Sequence, residues 1–85
     1  MKKIALISAI LENPGEEQRR FNDIVSSFKG IVKGRMGLPF DDEQIAVIAL
    51  TVAADEDTIN NLTEKLNEIE GVSVETLISK RTVVL

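Results

Sequence analysis

The sequence predicts an α+β domain with the element order βαββαβ: a four-stranded antiparallel sheet carrying both helices on one face. Three observations lead there. The chain repeats itself, because adding 41 to a residue number carries Ile4, Ala5 and Ile7 onto Ile45, Ala46 and Ile48, Phe21, Val25 and Phe28 onto Leu62, Leu66 and Ile69, and Gly30 onto Gly71. Ile4–Leu11 and Ile45–Val52 are apolar on both alternating sets, the pattern of central strands covered on both faces. A stripe at helical spacing follows each of these runs and stops at a glycine. Two βαβ units at a constant offset make the split βαβ, or ferredoxin-like, arrangement. Right-handed crossovers then place the first and third strands in the middle of the sheet.

The elements follow in order. After the first strand, Asn13 can cap a helix, Pro14 suits its first position and Glu16 completes a capping box. That helix is expected to run to about Lys29, with Phe21, Ile24, Val25 and Phe28 on its apolar stripe and Gly30 as its stop. Ile31–Met36 reads as the second strand, interrupted by Gly34 and Gly37 and closed by Pro39. Glycine in a strand signals a bulge or a close approach, and proline confines a strand to an edge, so this strand belongs at the sheet edge. Asp41–Gln44 forms a polar turn into the third strand. The second helix starts at Asp55–Thr58, capped by Asp55 or Asp57, and buries Ile59, Leu62, Leu66 and Ile69. Gly71 ends it, and Val72–Ile78 is the fourth strand. Residues 81–85 are too apolar for a frayed tail; they continue that strand or pair with another chain.

The 85 residues make one domain, since a chain this short builds one core and buries roughly 60% of its unfolded surface. With 44% hydrophobic and 28% charged residues it is a folded, soluble composition. Only Phe21, Phe28 and Phe40 are aromatic, so the core is aliphatic. Fourteen acidic against ten basic residues give a net charge of -4, the wrong sign for direct binding of nucleic acid. The chain has no cysteine, which excludes disulfides, thiolate catalysis and thiolate metal sites. It has no histidine either, and so lacks the commonest transition-metal ligand and neutral-pH base. No cofactor or metal is expected. The apolar start reads as a strand rather than a signal peptide, no run is long enough for a membrane span, and a cytoplasmic location is the expectation.

Two stretches are candidate sites. Asn13-Pro14-Gly15 lies between strand and helix, where free backbone N–H groups can hold an anionic or carboxylate ligand; a helix cap and nothing more is the plainer reading. Gly34-Arg35-Met36-Gly37 sets flexible backbone beside a cation suited to a carboxylate or phosphate, or is a bulged edge strand that blunts aggregation. The acidic runs at Asp41–Glu43 and Asp55–Asp57 lack the pattern of a calcium loop. The serines have no histidine partner and no nucleophile elbow.

Because two helices cover one sheet face while both central strands are apolar on both, a monomer would expose apolar surface on the order of several hundred Å². A homo-oligomer, dimer or tetramer, is therefore expected, joined through the open sheet face or through strand edges. Ser73 and Glu75 make the fourth strand more polar there, which centres any stacking on the first and third strands.

The run Gly34-Arg35-Met36-Gly37-Leu38-Pro39-Phe40, with Ile45–Leu50, Leu62-Thr63-Glu64-Lys65-Leu66 and Gly71–Val74, resembles the small ACT-like family of regulators of the iron-only hydrogenase system. The resemblance covers most of residues 31 to 80, with departures at Glu64, Asn67 and Glu75. It implies a ferredoxin-like domain similar to ACT domains and to the regulatory half of the nickel-responsive repressor, whose metal ligands have no counterparts here. It also implies an effector site at Gly15 and Asn13. The leading expectation is a non-enzymatic regulatory or small-molecule-sensing module acting as a homo-oligomer. One alternative is a small enzyme with a site between protomers, using Arg35 with Asp41 or Glu43. The other is a purely structural assembly module.

Overall fold

A computed structural model describes residues 1–28 and 30–84. The elements are β1 (Lys3–Leu11), α1 (Pro14–Ser27), β2 (Val32–Phe40), β3 (Ile45–Ala54), α2 (Glu56–Asn67) and β4 (Val72–Ile78). The sheet is antiparallel in the order β2-β3-β1-β4, so the two doubly apolar strands are the central pair. The expected βαββαβ fold is the one observed.

Alternation along the strands decides which side chains meet the helices. Ala5, Ile7, Ala9 and Leu11 of β1 and Ala46, Ile48, Leu50 and Val52 of β3 are buried beneath α1 and α2. Phe21 from α1 and Ile59, Leu62 and Leu66 from α2 complete the core with no accessible surface. Ile24, Val25 and Phe28 pack on it half-buried, so α1 covers its side of the sheet less fully than α2 does.

The helix starts differ. Asp55 caps α2, its carboxylate accepting the Thr58 N–H at 2.7 Å. At α1 the expected Asn13–Glu16 box does not form: Asn13 makes no side-chain cap bond, and Glu17, one residue further on, accepts the Asn13 N–H at 2.9 Å. Asn13 stands at φ -142° and ψ 80°, away from the extended geometry of Asp55 (φ -68°, ψ 160°) that aims the side chain at the first turn. Helix α1 closes at Ser27 with a tight turn from the Phe28 N–H to the Val25 carbonyl. The expected end near Lys29 lies outside the described residues, and Gly30 just beyond has φ +81°.

The Thr58 hydrogen bond holds the Asp55 carboxyl below the usual carboxylate range. A lowered folded-state pKa means that the bond stabilises the fold above the ordinary carboxylate value, near pH 4, and that this contribution is lost as pH falls through the depressed value. Asp55→Ala should therefore lower the thermal midpoint at pH 7, and the gap to the parent protein should narrow in melts below about pH 4. A gap that stays constant down to pH 2 would show that the charged cap contributes nothing.

Strand β2 is longer than expected, running through Pro39 to Phe40. An edge strand pairs on one side only, so alternate residues can do without an N–H. The ladder slips between Val32 and Gly34, the bulge that the glycine predicted. Past β4 the chain keeps its direction along β1: Val83 pairs with Lys2 by two hydrogen bonds of 2.7 and 3.0 Å. Ser79 is held by Ile4, and the Lys3 ammonium donates to the carbonyls of Ser79 and Lys80. The described residues of the tail thus continue along β1 in their own chain.

Candidate functional site

Antiparallel pairing sets the end of β1 beside the start of β3, with Leu11 opposite Ala46. This brings the β1–α1 turn and the β2–β3 hairpin to the same end of the sheet. Between them lies a groove of about 360 Å³. One wall is Asn13, Pro14, Gly15 and Gln18; the other runs from Pro39 through Phe40, Asp41 and Gln44 to Ala46.

Both walls are fixed by backbone bonds. On the helix side the Glu12 N–H donates to the Gly71 carbonyl at 3.0 Å, and the Glu17 carboxylate holds Asn13. On the hairpin side the Glu43 and Gln44 N–H groups donate to Phe40 and Asp41 carbonyls, and Gln44 turns the corner at φ +55°. Among the described residues, the N–H groups of Gly15 and Glu16 have no side-chain acceptor. A Cβ at Gly15 would meet nothing within 4 Å, so packing within the chain does not demand glycine there.

The second candidate stretch divides between the two faces of the sheet. Arg35 and Gly37 oppose Leu50 and Ile48 on the helix side, whereas Gly34 and Met36 oppose Thr51 and Ala49 on the other. Arg35 donates to the Asn22 Oδ1 at 2.6 Å, and its guanidinium lies 5.7 Å from the centre of the Phe21 ring. None of Gly34, Arg35, Met36 and Gly37 lines the groove. Within one chain Arg35 is also far from Asp41 and Glu43, about 20 Å along the strand at roughly 3.3 Å per residue. Among the described residues, no group of three acidic side chains is placed to hold a metal ion, and neither helix is long and apolar enough to cross a membrane.

Gln18 and the hairpin wall were missed by sequence reasoning. Strand order alone would have found the wall: once β1 and β3 are antiparallel neighbours, the hairpin must stand beside Asn13.

Residues 3–76 match a family model described as "TM1266-like: Iron-only hydrogenase system regulator, putative". The chain belongs to this family. A member of known structure, the uncharacterized protein TM1266 from Thermotoga maritima, is 31% identical over 94% of this chain and 100% of its own, with a TM-score of 0.88. The ACT domain of the GTP pyrophosphokinase of Chlorobium tepidum is 22% identical, the match covering 91% of this chain and 100% of that domain at a TM-score of 0.79. The C-terminal domain of the MgtC protein from Mycobacterium tuberculosis, 10% identical, covers 98% of this chain and 94% of that one at 0.71. These last two likenesses show a shared fold alone: the chain has the fold of an ACT domain. No curated protein matches it.

Proposed function

We propose that this TM1266-like protein is a non-enzymatic regulatory module that works as a homo-oligomer and senses a small molecule in the groove between the β1–α1 turn and the β2–β3 hairpin. The observation that carries the reading is the difference between its two related helix starts. In α2 the Asp55 carboxylate fills the anion-binding position itself. In α1 the equivalent side chain does not, and the unpaired N–H groups adjoin a groove. Asp41 lines the opposite wall. A carboxylate at the helix start and an ammonium near Asp41 suit a zwitterion of amino-acid size.

Thermal shift against amino acids and against nucleotides, each at millimolar concentration, tests the sensing. A ligand present at tenfold its Kd adds about 1.4 kcal/mol, a rise of roughly 5–10 °C for a domain of this size. The amino-acid set should contain the ligand, and Gly15→Ala should abolish its shift while leaving the ligand-free midpoint unchanged or slightly higher. Absence of a shift with either set would refute the sensing. A monomer throughout the micromolar to millimolar range would refute the oligomer.

A further inference from the structure

The face of the sheet turned away from the helices carries Leu6, Ile10, Met36, Leu38, Phe40 and Leu77, from 44% to 69% exposed. Together they amount to between three and four fully exposed large side chains, on the order of 600 Å² of apolar surface. The largest apolar patch on an ordinary monomer reaches about 300–600 Å², and a stable interface needs about 800 Å² of all kinds from each partner. This face therefore matches one whole interface in size.

We propose that a second copy of this chain covers that face, the two sheets stacking across a two-fold axis centred on β1, β3 and β2. The proposal rests on the homo-oligomer named in the functional reading and fixes its surface; it does not depend on a ligand. Three features select a second copy. Of the strand positions paired across the ladders on this face, only Glu75 carries a charge, with Lys33 left unpaired at the β2 bulge, although the chain as a whole is at -4. A partner chosen by complementary charge would find almost nothing to pair with, while two identical near-neutral faces meet without repulsion. Both sheets also share one twist, which lets them pack at about 10 Å with side chains interdigitating.

The third feature is relief. Gly34 opposes Thr51 and Ala49 opposes Met36, so small residues sit next to large ones on this surface. A Cβ at Gly34 would come no closer than an ordinary contact, 4.0 Å from Thr51. The space above Gly34 is thus left open by its own chain and can receive a large side chain from the facing sheet. Glu75, flanked by Ser73 on its own strand and Ser8 on the neighbouring one, falls at the rim of such a stack, where its charge stays in water.

Sedimentation equilibrium of the parent protein and of Leu38→Glu is the direct test. Leu38 is 55% exposed, so the variant should fold, as far-UV circular dichroism would verify. The parent is expected to be a dimer or a dimer of dimers, and Leu38→Glu to raise the dissociation constant of the stacked pair at least a hundredfold. An oligomeric parent with a folded Leu38→Glu of unchanged association would overturn the face while leaving the homo-oligomer standing on the strand edges. A monomeric parent would overturn both.

A second measurement needs no variant. Met1 and Met36 are the only methionines and are 83% and 68% exposed in the single chain. In the stacked oligomer peroxide should oxidise Met36 at least tenfold more slowly than Met1, and dilution below the dissociation constant should bring the rates together. Similar rates at millimolar protein would also sink the proposal.

Discussion

Replacing Phe21 with alanine is expected to destabilise the protein by about 3–5 kcal/mol, the range for removing a fully buried aromatic side chain. Phe21 has no accessible surface and is the one completely buried residue of α1. Its removal leaves a cavity that Ile24, Val25 and Phe28 at the margin are poorly placed to fill. The loss also withdraws the ring beneath the Arg35 guanidinium. Small domains are stable by only about 5–15 kcal/mol, so the variant should be marginal at 37 °C. Urea unfolding of Phe21→Ala beside Phe28→Ala, a half-buried control, reads the effect; equal losses at the two positions would contradict the packing described.

The second large effect is expected at Gly71. It leaves α2 at φ +86°, a conformation that costs an L side chain roughly 1–2 kcal/mol. A Cβ there would also run into the Glu17 carboxylate, which is already engaged with the Asn13 N–H. Gly71→Ala should therefore lose about 2–3 kcal/mol, above the backbone cost by itself. The double variant with Glu17→Ala separates the two contributions. In a double-mutant cycle the steric contribution should disappear and the backbone cost remain, giving a favourable coupling of about 0.5–1.5 kcal/mol. Strict additivity would mean that the carboxylate simply swings away.

The +41 repeat carried most of the fold. It aligned the two apolar strands, both helix stripes and the glycines, and strand order followed from chirality alone. Asp55 was legible as a cap candidate because its position lies within a short acidic run; the choice against Asp57 needed the backbone. Glu17 was not legible in place of Glu16, because Asn13 and Pro14 set the entry angle and move the reach of the first-turn carboxylate by one residue. The extent of β2 was hidden by Pro39, which breaks a central strand yet is harmless on an edge. The candidate site was half readable. Asn13 and Gly15 stood out locally, whereas Phe40, Gln44 and Ala46 are ordinary residues that become a wall only through pairing at a sequence distance of about thirty.

The Lys2–Val83 bridge has a mechanical consequence. Because β1 and β4 are antiparallel neighbours with Lys2 and Val83 at the same end of that pair, a force pulling these two residues apart acts across the ladder rather than along it. The hydrogen bonds then break in succession, from Lys2–Val83 through Ile4–Ser79 into the Ala5–Ile78 register, like a zip. Peeling in this order removes β4 with its polar corner, Ser73 and Glu75, and leaves β2, β3 and β1 as a three-stranded sheet under load.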